Sequence, residues 1–590
     1  MPLQSQAPLA EAAVQKTHNN TPVSDTVAKE KNKVPLLPYH IVLSIIFSAG
    51  LISAAFATIP DCDEVFNYWE PTHYLSYGNG LQTWEYSPVY AIRSWLYVGV
   101  HSLITLPFSR VPSINKSHIF LILRTILAGT ASVSQAELYD ALSRSVSPTV
   151  GLLFILISVP SAGMFQAMPA YLPSSFAMYF VMFGMAEFLK TPASLPRALT
   201  YFSIAGFLGW PFCLALVAPQ FLLWAFEDGK ARGAIGLIQH VARSTISPLF
   251  VLATVVGVDS LAYRKLVFVP LNIVLYNVFG GSDRGPDLYG TEPWWYYFAN
   301  LSLNFNLMAA VAFASIFLLA LTLAILPTGA TRQQVVLLLP FYLWLGVFSL
   351  QPHKEERFMF PAYPALCINA AMSMNWVNDF VLFLGCKLKF KPKTARAFGA
   401  SVVTVMLATS ALISTSRTIA VTTAYSAPKT IYRFDRSLSG NICFGKEWYR
   451  FPSSYFLPVG ARPRFIKSAF AGLLPGTFAE AETPFRDGTW KVPENMNDLN
   501  REDYSKYIPI EECDYLVDSY FSGREEHIES LEPNYILDLE NWDRVTCQKF
   551  LDAARTPFLS RALWLPDLVY RDRRVWGEYC ILRNKQKRRT

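Results

Sequence analysis

The sequence predicts an all-α polytopic membrane body of about eleven transmembrane helices, followed by a soluble C-terminal α+β domain. Three observations lead there. Of 590 residues, 52% are hydrophobic and only 16% charged, against a charged fraction of about 25% in soluble domains. Long stretches contain no Asp, Glu, Lys or Arg, the first running from Val34 to Pro60. About half of all the charged residues fall beyond position 420. The chain therefore divides into a polar tail at 1–36, a membrane domain at 37–420 with a first loop at 61–93, and a C-terminal domain at 421–590.

Residues 1–36 are polar and carry no periodic apolar pattern that could offset the entropy of ordering, so a disordered tail is expected. Val34 to Pro60 is long enough to cross the roughly 30 Å hydrocarbon core. Ala55-Phe56-Ala57 resembles a signal-peptidase site, but the polar lead-in and the apolar stretch are both too long for a signal peptide, so a retained span is expected. Lys29, Lys31 and Lys33 precede this span, whereas Asp61 to Glu85 holds five acids and no Lys or Arg. Positive-inside bias then makes the N-terminus cytosolic and the acidic loop lumenal.

Further spans are expected near 94–111, 118–136, 148–165, 171–187, 198–226, 244–260, 303–327, 333–352, 358–386 and 397–417. The basic loop Lys387 to Lys393 is cytosolic by the same rule, and one more crossing puts the C-terminal domain in the lumen. The net charge of +7 is scattered over short loops without a basic stripe interleaved with aromatics, which argues against nucleic acid. No repeat is evident, which weakens a transporter reading.

Three constellations face the expected lumenal side. The first is Asp61-Cys62-Asp63-Glu64-Val65-Phe66-Asn67-Tyr68-Trp69-Glu70-Pro71-Thr72-His73-Tyr74. Carboxylates crowded at a membrane edge repel one another and are partly desolvated, so one can serve as a proton acceptor. The aromatics suit both a sugar platform and an interface belt, and an acidic loop anchored by interfacial aromatics has the same composition. The second is Gln351-Pro352-His353-Lys354-Glu355-Glu356-Arg357-Phe358. Its three cations fit phosphate, Arg as a fork and Lys as a point charge, and also fit a solvated loop paired with its own acids. The third, Asp283 to Tyr297, is a loop shaped by Gly and Pro that ends in an aromatic run containing Tyr289, Glu292 and Trp294. No CxxC pair, HExxH motif, Walker loop or calcium-loop spacing is present, so neither metal nor cofactor is expected. Cys443, Cys513, Cys547 and Cys580 allow three disulfide connectivities, or none.

Asp61 to Tyr74, followed by Gln82-Thr83-Trp84-Glu85-Tyr86-Ser87-Pro88, resembles the first lumenal loop of the dolichyl-phosphate-mannose-dependent mannosyltransferases of the GT-C superfamily. His353 to Pro361 resembles their second motif. The strings DCDEVFNYWEPTHYL, YGTEPWWYY and Gly445 to Pro452 are most similar to the alpha-1,2-mannosyltransferases of N-glycan precursor assembly. The approach Gly280 to Arg284 is longer than that family's pattern, which puts a role for Arg284 in doubt.

The resemblance implies a multi-pass enzyme of the endoplasmic reticulum membrane, with its active site in the lumen. It would transfer mannose from dolichyl phosphate mannose, with inversion, to the 2-hydroxyl of dolichyl-pyrophosphate-linked Man6GlcNAc2 and Man8GlcNAc2. Asp63 would be the base, with Glu64 and Asp61 as second choices. His353, Lys354 and Arg357 would hold the donor phosphate. Tyr68, Trp69, Glu70, His73, Tyr289, Glu292 and Trp294 would shape the sugar and acceptor site. The alternatives are a related alpha-1,6- or glycosylphosphatidylinositol mannosyltransferase, or a lipid-linked sugar transporter.

Overall fold

The computed structural model describes residues 34–588 except 281–283, 327–328, 524–530 and 567–572. Most of the polar tail expected at 1–36, and Asp283, lie outside the described residues. The helix α1 (Tyr39–Phe56) has 18 residues, about 27 Å at 1.5 Å per residue, which nearly matches a bilayer core. It leads into a compact loop made of a short turn α2 (Cys62–Glu64), a π turn at Val65–Trp69 and α3 (Glu70–Tyr77). Then come α4 (Trp95–Ser109), α5 (Lys116–Ser145), α6 (Pro148–Ser158), α7 (Ala162–Ala167) and α8 (Pro173–Leu189). α9 (Leu195–Ser203) runs through two irregular turns into α10 (Ala218–Ser244), α11 (Ile246–Tyr263) and α12 (Val269–Phe279). α13 (Tyr296–Phe305), α14 (Leu307–Phe313), α15 (Ser315–Ile325), α16 (Arg332–Leu350), α17 (Tyr363–Lys387) and α18 (Pro392–Tyr425) complete the body.

α5 lies at the centre, packed against α1, α6 and α8. Small residues allow the α1–α5 approach: a Cβ added at Gly50 would stand 3.2 Å from the Ser132 hydroxyl and 3.4 Å from the Ala128 Cβ. The outer helices present apolar side chains outward, with Phe250 on α11 and Leu412 on α18 each more than 70% exposed. Only a lipid environment makes such surfaces favourable on this scale. The protein is a multi-pass membrane protein.

The count of eleven spans is not reproduced by length and apolarity. Among the described residues, five helical stretches meet both, or six if α14 and α15, bent by 57°, form one span. Proline explains part of the shortfall. The stretch expected at 148–165 breaks around Pro160 into α6 and α7, and that at 198–226 breaks at Pro211.

The C-terminal domain holds a five-stranded sheet in the order β3-β2-β5-β7-β6. Its strands are β2 (Ser439–Phe444), β3 (Gly460–Phe465), β5 (Tyr515–Tyr520), β6 (Trp542–Leu551) and β7 (Trp576–Asn584). β2 runs parallel to β3 and β5, whereas β7 is antiparallel to β5 and β6. Among the described residues its α-helices are the short α19 (Ala427–Thr430), α20 (Pro484–Asp487) and α21 (Phe558–Ala562). Disulfides join Cys443 to Cys513 and Cys547 to Cys580, which selects one of the three connectivities.

This domain is built onto the first loop. β1 (Leu81–Gln82) of the loop pairs antiparallel with β4 (Gly476–Thr477). Tyr74 stacks on Phe478 with ring centroids 4.1 Å apart. The loop that carries the acids is therefore held from the membrane side by α1 and from the other side by the sheet domain.

Candidate active site

After α1 the chain runs extended to Asp61, whose carboxylate caps the next turn by accepting the Asp63 N–H at 2.9 Å. The π turn that follows carries one residue more per turn than an α-helix, a feature frequent at functional sites. It divides the acidic string into two faces. Asp61, Asp63 and Tyr68 line a cavity of about 1000 Å³, at the upper end of the roughly 300–1,000 Å³ of small-molecule sites. Glu64, Trp69, Glu70 and His73 point the other way.

The inward residues are committed to packing. Glu64 is 1% exposed and accepts from the Trp69 indole at 3.0 Å and the Tyr171 N–H at 3.1 Å. Glu70 is fully buried and accepts from four donors: the Ser453 hydroxyl, the Ser454 N–H and hydroxyl, and the Leu81 N–H, all at 2.6–3.0 Å. It thus clamps the loop to the C-terminal domain. Trp69 packs on Phe120, centroids 4.1 Å apart. His73 lies between the Asn79 carbonyl at 2.8 Å and the Lys116 amine at 3.0 Å.

The second motif enters from the end of α16. Arg357 bridges the two outward carboxylates, with Nη1 2.6 Å from Asp61 and Nη2 2.7 Å from Asp63, and it also pairs with Glu355. Residues 61–63 and 357, separated by nearly three hundred positions, are thereby joined by an ion pair at Asp61 and a charge-assisted hydrogen bond at Asp63. His353 lines the same cavity, held by the Gly290 carbonyl at 2.7 Å and by Glu355 at 3.1 Å. Lys354 departs from expectation. Its ammonium donates to the carbonyls of Glu292, at 2.7 Å, and of Gln351, and so pins the third motif to the second instead of lining the cavity. The Glu292 N–H bonds the Pro352 carbonyl at 3.0 Å, so its main chain serves the same clamp. Tyr289 and Arg284 line the cavity, while Trp294 is 67% exposed and does not.

Residues 41–458, which take in all three motifs, match the family described as the Alg9-like mannosyltransferase family. The chain belongs to that family. The alpha-1,2-mannosyltransferase alg9 of Schizosaccharomyces pombe is 38% identical over 92% of this chain and 94% of its own length. The alpha-1,2-mannosyltransferase ALG9 of Homo sapiens is also 38% identical, over 92% of this chain and 88% of its own. Among solved structures, ArnT from Cupriavidus metallidurans bound to undecaprenyl phosphate aligns with a TM-score of 0.45 and 12% identity, over 73% of this chain and 86% of that one.

The electrostatics of this mannosyltransferase separate its carboxylates. At Asp63 burial acts to raise the pKa, but Arg357 and then Arg93 outweigh it and hold the carboxyl below its ordinary range. At Asp61 burial dominates and, with Glu355 and Asp63 nearby, raises the pKa in spite of Arg357. Glu64 is also raised by burial, as a base often is. Geometry takes precedence, however, and Glu64 does not reach the cavity. The Asp63 side chain is the most open of the three, at 37%.

Arg93 is a site residue that the sequence reading missed. It binds Glu85 at 2.6 Å and the Tyr68 hydroxyl at 3.0 Å, and stands 3.9 Å from Asp63. Its signal was being the first cation after a loop of five acids, inside the boundaries 61–93. Among the described residues, one cluster has metal-ligand potential, Asp61-Cys62-Asp63, with ligand atoms within 4.8 Å of one another. The Arg357 guanidinium already lies on both of its carboxylates.

Proposed function

We propose that this mannosyltransferase moves mannose from dolichyl phosphate mannose to the 2-hydroxyl of mannose on dolichyl-pyrophosphate-linked Man6GlcNAc2 and Man8GlcNAc2. It would do so in the lumen of the endoplasmic reticulum, for protein N-glycosylation. The relatives' alpha-1,2-mannosyltransferase names support the linkage, and the charge bias around α1 supports a cytosolic N-terminus and a lumenal C-terminal domain.

The observation that carries the chemistry is the Asp61–Arg357–Asp63 bridge opening on the large cavity. The acceptor oxygen attacks the anomeric carbon from the Asp63 side and gives its proton to Asp63. The bond from that carbon to the donor phosphate oxygen breaks on the opposite face, which inverts the centre. The electron pair stays on the departing dolichyl phosphate, where His353 stabilises it, while Arg357 holds Asp61 and Asp63 on the attacking side. The partner Glu355 and the Gly290 carbonyl raise the His353 pKa against burial, which favours the charged ring that such a role needs. Arg93 positions Asp63 through charge, and Tyr68 and Tyr289 border the sugar. Lys354, Glu64, Trp69, Glu70 and His73 act as supports. In this reading Arg357 bridges the two aspartates, and no metal is called for.

Purified protein, labelled donor and defined acceptors, with linkage analysis of the product, test this reading. An alpha-1,2-mannosyl product on Man6GlcNAc2 supports it. An alpha-1,6 product, or lipid movement without cleavage of the donor, defeats it.

A further inference from the structure

A second cavity, of about 480 Å³, shares Asp61 with the first. It lies where the end of α18 and the chain after α1 meet the sheet domain. Four cations line it: Arg417 of α18, Lys429 of α19, Arg450 and Arg561 of α21. Arg450 is answered by Glu447, at 2.7 and 2.9 Å. The other three form no ion pair with any described residue.

Their donors meet only main-chain carbonyls. Arg417 reaches Ala562 at 3.2 Å, Lys429 reaches Ala55 at 2.9 Å and Ala57 at 2.8 Å, and Arg561 reaches Ala553 at 2.8 Å. The Arg417 Nε is buried without a hydrogen-bond partner among the described residues. Of the carboxylates in the wall, Glu356 offsets part of the Arg417 charge without forming an ion pair with it. Asp61 is held by Arg357, and Glu356 accepts from Asn300 at 3.1 Å and Asn304 at 2.9 Å.

Arg417 and Arg561 repel each other across one small cavity, and burial lowers the Lys429 pKa to about 7; a bound anion would offset the repulsion and favour the charged ammonium. Two guanidinium forks and one ammonium suit tetrahedral phosphate oxygens. The outer side of α18 is apolar and faces lipid, which puts the cavity at the membrane boundary, within reach of a headgroup.

We propose that this cavity is a second anion site, taking a phosphate-bearing headgroup, separate from the donor-phosphate position at His353. It deepens the mannosyl-transfer reading, from which the assignment of the first cavity to donor phosphate comes. The phosphate is carried by an isoprenoid lipid or is free in solution, and the two sources are separable.

The test is equilibrium binding of farnesyl phosphate and of inorganic phosphate to the full-length protein in phosphatidylcholine nanodiscs. Wild type should bind two equivalents of farnesyl phosphate. Arg561→Gln and Lys429→Gln should each weaken one equivalent roughly tenfold or more, the scale of one charge-assisted hydrogen bond, and leave the other unchanged. Arg561→Lys keeps the charge and should retain most of the binding, which guards against a folding defect. His353→Gln should weaken the other equivalent. Displacement by inorganic phosphate at comparable concentration assigns the site to free phosphate, and failure to displace assigns it to the lipid headgroup. A single equivalent, sensitive to His353→Gln and indifferent to Arg561→Gln and Lys429→Gln, overturns the proposal. Transfer measured on the same nanodiscs keeps the two readings apart. Transfer with one equivalent sinks only the second site, whereas two equivalents without transfer sink the mannosyl-transfer reading alone.

Discussion

Replacing Arg357 with Lys keeps a positive charge and removes the fork. The guanidinium pairs with Asp61 at 2.6 Å and hydrogen-bonds Asp63 at 2.7 Å, and one ammonium on a shorter stem cannot hold both. Losing one such bond costs about 1.5–3 kcal/mol, and about 1.4 kcal/mol is a factor of ten in rate. Transfer efficiency, as kcat/KM for the donor, should therefore fall roughly ten- to a hundredfold. A further readout separates this from a folding defect. Arg357 is the strongest influence lowering the Asp63 pKa, so in Arg357→Gln the Asp63 carboxyl binds its proton at higher pH. The acidic limb of the pH–rate profile should shift upward in that variant, and less in Arg357→Lys. A large rate loss with an unmoved acidic limb in both variants would refute the coupling between Arg357 and the base.

Other outcomes follow from the same geometry. Glu70→Gln turns one acceptor oxygen into a donor facing donors, so the melting temperature should drop, on the scale of about 1–3 kcal/mol for each unsatisfied group; an unchanged melting curve would remove the clamp. The sequon at Asn300 lies inside α13 with its amide bonded to Glu356 at 3.1 Å, and should carry no glycan. Asn19 should likewise be bare if its segment is cytosolic, and a shift on glycosidase treatment there would reverse the topology. Asn115 is no such test, because Lys116 against His73 and Ser113 against Arg436 put it on the side of the first loop, which corrects the cytosolic connection expected between spans 94–111 and 118–136. Excess chelator should leave transfer unchanged; loss of activity restored by a divalent cation would contradict the bridging role of Arg357.

The acidic loop and the His353–Phe358 segment are legible in the sequence because charge is costly at a membrane edge and so stands out against apolar flanks. Their union through Arg357 is not legible, since it depends on a chain of helix contacts in which α1 packs on α5, α5 on α6 and α6 on α17. The assignment of faces was also hidden. The π turn at Val65–Trp69 alters the helical phase, sending Glu64, Glu70 and His73 inward while Asp63 and Tyr68 stay at the cavity. Lys354 looked like a phosphate ligand by type, yet its neighbouring turn offers unpaired carbonyls that it caps. The helix boundaries were hidden for a related reason, because uninterrupted apolarity does not reveal where proline divides a span. The disulfide partners were undecidable from spacing, and they follow from a sheet order in which β6 and β7 place Cys547 opposite Cys580.

The central claim is that an outward carboxylate of the first loop accepts the acceptor's proton, and that this residue is Asp63. Asp63→Asn preserves size and hydrogen bonding while removing proton affinity. The decisive measurement is mannosyl transfer by this variant beside Asp61→Asn and Glu64→Gln, at equal protein levels in membranes. Asp63→Asn should lower transfer roughly 100-fold or more while donor binding persists, with Glu64→Gln costing less. Near-normal transfer by Asp63→Asn, with the loss falling on Asp61→Asn or Glu64→Gln instead, would contradict the assignment.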